Sequence, residues 1–207
     1  NKLNYLYKME QCIMTKHDFV KNNQEIENYY FFRSCLTDEE IMKVLQIAET
    51  KKEIDGRIGT DPHIEESYRN SKIKWLSNSN ETKWLFDKFG KLVKIANNSM
   101  WNFDIVGFGE KLQVGTYISD NKGHYDWHID CDSSTSFRKI SMSIQLSDPN
   151  DYEGGELQLF TKKTIATLPK DKGTIIFFPS FLLHRVTPVT KGKRISLVAW
   201  ITGPQFK

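Results

Sequence analysis

The rhythm of hydrophobic and polar positions changes once along the chain, near residue 104. Before that point apolar residues recur mainly at helical spacing. Thr37-Asp38-Glu39-Glu40 is a capping box, in which the Thr37 hydroxyl can accept from the Glu40 amide while the Glu40 side chain reaches back. Ile41, Val44, Leu45 and Ala48 follow at helical intervals, and together they predict a helix over about residues 38–52. Leu85, Phe89, Leu92, Val93 and Ala96 predict a second helix over about 81–100, whose apolar stripe is most simply core packing against a sheet. One strand is expected at 29–32. The segment Ile54–Asn70, with Gly56, Gly59 and Pro62, reads as a long loop, either a binding or lid segment or a merely disordered one. After residue 104 short strands follow one another, rich in β-branched and aromatic residues: 111–119, 123–129, 139–146, 156–160, 165–168, 173–178, 185–189 and 194–201. Asp148-Pro149-Asn150, Gly154-Gly155 and Lys191-Gly192 are turns between them. Eight strands at this spacing predict a sandwich or barrel of the jelly-roll kind. Helices first and strands afterwards give an α+β protein with the helices packed on one outer face of a sheet.

Length and composition leave this picture intact. A chain of 207 residues is the size of one domain, expected to comprise a mainly helical support (1–103) and a β core (104–207). Hydrophobic residues at 39% and aromatics at 13% are too many for a disordered chain. The excess of basic over acidic residues is only +3, with no basic stripe, so charge gives a nucleic-acid partner no support. The longest apolar runs, Ile175-Ile176-Phe177-Phe178 and Phe181-Leu182-Leu183, fall far short of the roughly 18 residues of a spanning helix. Asn1-Lys2-Leu3-Asn4-Tyr5-Leu6 is too polar for a signal-peptide core. Cys12, Cys35 and Cys131 are odd in number and form no CxxC pair, so neither a disulfide framework nor a zinc knuckle is indicated. The expectation is a cytoplasmic protein with no membrane partner.

Candidate chemistry concentrates in His124-Tyr125-Asp126-Trp127-His128-Ile129-Asp130. In a regular strand His124, Asp126, His128 and Asp130 would share one face. The only other histidine of the β-rich half is His184, which sheet folding can bring alongside. Two histidines and one carboxylate on one face of a metal, with three positions open, form the ligand set of non-haem Fe(II) oxygenases. Two HxD pairs overlap, His124/Asp126 and His128/Asp130, and spacing does not choose between them. Arg194 begins the last predicted strand. In a barrel interior it would be costly without an anionic ligand, and it can grip a carboxylate with two parallel hydrogen bonds.

These residues stand within a longer ordered set of motifs between Arg69 and Pro204. They are Arg69-Asn70-Ser71 with Trp75-Leu76, then Tyr125-x-x-His128-x-Asp130, then Phe137-Arg138-Lys139-Ile140-Ser141. Leu146-Ser147-Asp148-Pro149 and Tyr152-Glu153-Gly154-Gly155-Glu156-Leu157 follow, and after them Phe178-Pro179-Ser180, His184-Arg185-Val186-Thr187-Pro188-Val189 and Gly192-Lys193-Arg194. With them the chain resembles the Fe(II)/2-oxoglutarate-dependent dioxygenases, and among these the prolyl 4-hydroxylase-like, PKHD-type hydroxylases. The resemblance implies a double-stranded β-helix core, the cupin-like jelly roll. It implies His128, Asp130 and His184 as ligands of Fe(II), with His124 and Asp126 as neighbours only. Arg194 matches the residue that binds the distal carboxylate of 2-oxoglutarate. Tyr117 and Ser196 match cosubstrate hydrogen-bonding positions, and Trp200 an aromatic lining the iron pocket. Gln145 stands at the cosubstrate where animal prolyl hydroxylases carry tyrosine. Trp200 replaces the second arginine of the nucleic-acid demethylases, and the intact Asp130 departs from the halogenases.

The activity implied is hydroxylation of an unactivated C–H bond, coupled to oxidative decarboxylation of 2-oxoglutarate to succinate and carbon dioxide, with dioxygen as oxidant and L-ascorbate as reductant. The leading substrate is a prolyl residue in a peptide or protein. The alternatives are a free amino acid or other small molecule, a non-catalytic cupin-like metal-binding barrel, and a zinc hydrolase with the same three ligands. The Ile54–Asn70 loop and residues 132–136 are expected to flank the substrate mouth.

Overall fold

Residues 28–56, 67–161 and 164–205 are described by a computed structural model of the chain. Cys12, the polar N-terminal stretch 1–6 and the middle of the predicted Ile54–Asn70 loop (57–66) lie outside the described residues. Helix α1 spans Asp38–Glu49 and opens with the expected capping box: Glu40 N donates to Thr37 Oγ1 at 3.2 Å and Thr37 N to Glu40 Oε2 at 2.9 Å. It stops short of residue 52 because the Thr50 hydroxyl and amide both turn back onto the Ile47 carbonyl. Helix α2 spans Lys83–Met100 and starts later than the pattern suggests. The Thr82 hydroxyl is already engaged, donating to Ser77 O at 2.6 Å and accepting from Ser79 N at 2.9 Å, so it does not cap the first turn.

Among the described residues, fourteen strands build two antiparallel sheets. They are β1 (Tyr30–Phe32), β2 (Ile54–Asp55), β3 (Arg69–Asn70), β4 (Lys72–Leu76), β5 (Gly107–Phe108), β6 (Leu112–Ile118), β7 (His124–His128) and β8 (Arg138–Gln145), followed by β9 (Tyr152–Gly154), β10 (Leu157–Phe160), β11 (Ile165–Thr167), β12 (Ile175–Pro179), β13 (His184–Val186) and β14 (Val189–Thr202). The larger sheet runs β1-β12-β8-β14-β6-β4-β2, with β5 and β9 also on β14. The smaller runs β11-β10-β13-β7-β3. This is the expected α+β jelly roll.

Period-two alternation sorts each strand of the larger sheet between two environments. Leu197, Ala199 and Ile201 of β14, with Ile140, Met142 and Ile144 of β8, face outward onto Ile41 and Val44 of α1 and Leu85, Phe89 and Val93 of α2. The opposite residues, Arg194, Ser196, Val198 and Trp200, face the smaller sheet. Between the sheets Tyr117, Leu157, Leu159, Ile176, Phe178 and Val186 form a second apolar cluster. Among the described residues, no helix is long and apolar enough to cross a membrane.

Two expectations need correction. The Ile54–Asn70 segment is not simply a loop, because its ends are strands: β2 pairs with β4 and β3 with β7. Residues 1–103, expected to be mainly helical, also supply β4 along β6, which puts N-terminal backbone into both sheets beside the cavity. The second correction concerns β7. His184 pairs with His128 but Val186 pairs with Tyr125, so between the two pairs one residue of β13, Arg185, faces two of β7, Asp126 and Trp127. This bulge breaks the alternation, and His124, Asp126, His128 and Asp130 do not share a face.

Candidate metal centre

The bulge decides which histidine enters the interior. His124 stays at the surface, its two ring nitrogens 2.8 Å from Lys122 O and 3.0 Å from Ser67 O. Asp126 turns back to accept from Trp127 N at 2.7 Å. His128 instead lies against His184 across the strand pair, ring centroids 4.1 Å apart, and stacks on Tyr125 at 3.5 Å. Beyond β7 the amides of Asp130 and Cys131 both donate to Ser180 O, which hooks the chain inward and buries the Asp130 carboxylate.

His128, Asp130 and His184 thereby offer one donor atom each, all within 4.8 Å of one another. His184 Nε2 is 3.4 Å from Asp130 Oδ2 and His128 Nε2 is 3.8 Å from Oδ1. The other ring nitrogens face backbone carbonyls, His128 Nδ1 toward Asp126 O (2.7 Å) and His184 Nδ1 toward Leu182 O (2.9 Å). A carbonyl only accepts, so each Nδ1 carries the proton and each Nε2 presents a lone pair, the arrangement a ligating imidazole needs. Ser141 Oγ donates to Asp130 Oδ2 at 2.6 Å and stands 3.0 Å from Ser180 Oγ. Burial would push the Asp130 carboxyl pKa up, but the His184 and His128 imidazoles and the Ser141 hydroxyl hold it well below the usual carboxylate range. For His128, burial and then the neighbouring His184 lower the pKa to about 3, against a smaller opposing pull from Asp130. Three neutral or anionic donors with hard oxygen and borderline nitrogen character suit a divalent first-row metal.

The three residues line a cavity of about 870 Å³ between the sheets. On its far side Arg194 is 1% exposed, yet no carboxylate lies within 4.0 Å of it among the described residues. Its Nη1 donates to Ser196 Oγ and Nη2 to Gln145 Oε1, both at 3.2 Å, and the guanidinium sits 5.3 Å over the Tyr117 ring. All four come from adjacent strands: Arg194 pairs with Tyr117 across β14 and β6, and Ser196 with Gln145 across β14 and β8. A buried cation held only by neutral groups is a receptor for an anion. The Gly154-Gly155 turn shapes this corner. Gly155 has φ +58°, and a Cβ there would come within 2.9 Å of Arg194 Cδ.

Trp200 also lines the cavity, with Arg138 stacked 3.9 Å over its ring. Arg138 makes a two-pronged contact with Glu110, both hydrogen bonds 2.6 Å. Tyr117, His128, Asp130, His184, Arg194, Ser196 and Trp200 therefore border one cavity and Gln145 supports Arg194 in its wall, whereas His124 and Asp126 do not line it. Sequence reasoning did not assign a role to Ser141, Tyr125 or Arg138, although each stands inside a quoted motif. The signal for Ser141 is in β8, where Ser141, Ser143 and Gln145 alternate with Ile140, Met142 and Ile144 and both sets are buried. Ile54, Asp55, Asp132, Ser134 and Thr135 lie at the cavity rim, where the two flanking segments were expected.

The sequence profile of the 2OG-Fe(II) oxygenase superfamily matches residues 112–202. A PKHD-type hydroxylase of Synechococcus sp. (strain CC9311) is 27% identical over 161 residues, covering 75% of this chain and 69% of that protein. Two further PKHD-type hydroxylases are 39% and 40% identical, over only 38% and 42% of their own lengths. Among solved structures, a prolyl hydroxylase from Trichoplax adhaerens, in complex with a hypoxia inducible factor oxygen degradation domain peptide fragment, superimposes with a TM-score of 0.74. It is 18% identical over 97% of this chain and 92% of that one, a likeness of fold. The viral collagen prolyl hydroxylase of Paramecium Bursaria Chlorella virus-1 gives a TM-score of 0.62 at 27% identity, covering 86% of this chain and 97% of that chain.

Proposed function

This chain belongs to the 2OG-Fe(II) oxygenase superfamily, and from that premise we propose that residues 1–207 act as one domain that hydroxylates a prolyl residue in a peptide or protein. The observation that carries the reading is the pairing, in one cavity, of three converging metal donors with a buried guanidinium that has no carboxylate of its own. His128, Asp130 and His184 would hold Fe(II). Arg194, steadied by Ser196 and Gln145 beside Tyr117, would hold the distal carboxylate of 2-oxoglutarate. When bound, these groups couple decarboxylation of 2-oxoglutarate by dioxygen to hydroxylation of the substrate, with ascorbate keeping the iron reduced.

The chain's own contributions are positional. Carbonyls fix the Nδ1 protons so that both Nε2 lone pairs face the metal position, and Ser141 holds one Asp130 oxygen so that the other is free to ligate. Trp200 and Tyr125 form apolar walls that keep water from the reacting C–H bond. A polypeptide substrate is supported by the neighbouring fold seen with a peptide bound, and prolyl chemistry by the likeness to the viral collagen prolyl hydroxylase. The buried Arg194 weighs against a metal-binding barrel without turnover, and against a zinc hydrolase.

The test is succinate release with proline-rich peptides and free proline in parallel, with mass spectrometry for the gain of one oxygen atom. His128→Ala is expected to abolish 2-oxoglutarate turnover and His124→Ala to leave most of it. Equal loss in both, in folded protein, would overturn the ligand assignment. Oxygen appearing on free proline but not on any peptide would move the substrate to small molecules.

A further inference from the structure

Trp127, Ile129 and Leu183 line the metal cavity, and Ile129 and Leu183 are 42% and 37% exposed. The apolar surface does not stop at the rim. Trp127 meets the ring of Phe160 edge-on at 6.2 Å, and Phe160 pairs across the strands with Ile165; these two are 48% and 49% exposed. A continuous apolar strip therefore runs from the cavity mouth over the outer face of the smaller sheet. Strips of this kind on soluble proteins mark interaction surfaces.

Two observations say what would cover it. The first is reach. The strip crosses from β7 over β13 and β10 to β11, three strand spacings or about 14 Å. An amino acid seated at the metal cannot span that distance, whereas four or five residues of extended polypeptide can, at about 3.3 Å each. The second is charge. Arg185 stacks on the Trp127 ring at 4.6 Å and donates from Nε to Gln158 Oε1, and among the described residues no carboxylate lies within 4.0 Å of it. Glu156 accepts from Gln158 Nε2 instead. A cation on an apolar strip, with no counter-charge, is complementary to an acidic residue set among apolar ones.

We propose that the outer face of the smaller sheet, centred on Trp127, Phe160, Ile165 and Arg185, docks the flank of a polypeptide substrate whose residues beside the hydroxylated position are apolar and acidic. The inference rests on the polypeptide reading given above and adds the recognition surface and the sequence character it selects.

The probes are two peptides carrying proline followed by Leu-Asp-Leu-Leu or preceded by it, and counterparts with serine in place of those four residues. Binding to the full chain is measured by titration calorimetry, separately from succinate release. One Leu-Asp-Leu-Leu peptide is expected to bind about tenfold tighter than its serine counterpart. The double variant Phe160→Ser/Ile165→Ser, and separately Arg185→Gln, should erase that preference while leaving peptide-independent 2-oxoglutarate turnover unchanged, since Phe160 and Ile165 lie outside the cavity lining. Equal affinity for all peptides, or a preference untouched by both variants, overturns the proposal. So does a double variant that dissolves a dimer without altering peptide affinity, because the strip would then cover a second copy. Absence of succinate with every substrate would count against the oxygenase reading alone, because the binding comparison stands apart from turnover.

Discussion

Asp130 is buried; its amide donates to the Ser180 carbonyl, its own carbonyl accepts from Thr135 Oγ1 and Arg138 Nη1, and its carboxylate meets the Ser141 hydroxyl on Oδ2 and the two imidazoles opposite. The Ser141 contact is the one that can be deleted without touching a ligand. Ser141→Ala is expected to weaken divalent-metal affinity by about 10- to 100-fold, the usual scale for losing a partner of a ligating carboxylate, with the melting temperature of the metal-free protein little changed. Metal titration followed by fluorescence or calorimetry checks it. Arg194 acts at the other end of the cavity and should separate from the metal in experiment. Arg194→Ala removes the cation but none of the three metal donors. Its expected effect is a rise of about 10- to 100-fold in the 2-oxoglutarate concentration needed for half-maximal turnover, the worth of a charge-assisted pair. Iron affinity should move far less. Steady-state kinetics against 2-oxoglutarate, with metal titration in parallel, measures both, and the reverse order of effects would remove Arg194 from cosubstrate binding.

At the scale of elements, local rules and long-range pairing divided the work. The capping box was legible because both partners lie within four residues, and its geometry is as expected. Thr37→Ala should cost about 1 kcal/mol of stability, read as a lower urea midpoint at unchanged slope, with no effect on turnover because α1 packs on the sheet face away from the cavity. Most of the later strands were legible for the same local reason, but the short β5 and β9 were not, and Lys191-Gly192, expected to be a turn, lies within the continuous strand β14. What escaped depended on partners far away in sequence. Lys72-Ile73-Lys74-Trp75-Leu76 alternates cleanly but stands apart from the run of strands after residue 104, and it is a strand through its pairing with β6. β2 and β3 are two residues each and exist only through β4 and β7. The bulge in β7 has no signature of its own in His124–His128, and it is created by pairing with β13. For this reason composition and spacing left two HxD pairs open, and only the longer run of motifs singled out His128 and Asp130. The four-residue face drawn from ideal alternation was wrong by one inserted residue. The Arg194 environment was half legible: burial in a barrel implied an anion, but its neutral companions become visible only once β6, β8 and β14 lie side by side.

For the whole molecule, the jelly roll covers the outer face of one sheet with helices and keeps polar groups between the sheets, which has a consequence for acid stability. His128 is neutral in the fold because burial and His184 bring its pKa from 6.5 down to about 3. When the chain unfolds, the imidazole returns to its ordinary value. Between pH 6.5 and about 3 the unfolded state therefore holds a proton there that the folded state lacks. Stability rises with pH wherever the unfolded state binds more protons, so acidification through this window destabilises the metal-free protein. Asp130 pulls in the same direction at lower pH. Its carboxyl stays ionised in the fold below the range where an unfolded aspartate takes up a proton, so its contribution is present above that range and is lost as pH falls through it. The metal-stripped protein is expected to show a falling melting temperature from pH 6.5 toward pH 5, ahead of any carboxylate titration. His128→Asn, which keeps a polar side chain of similar size without the titration, should flatten that decline. Thermal melts of both proteins at matched ionic strength across the window provide the measurement. Parallel slopes would mean that His128 accepts a proton in the folded state at its ordinary pKa, contrary to the closed interior from which the ligand assignment is argued.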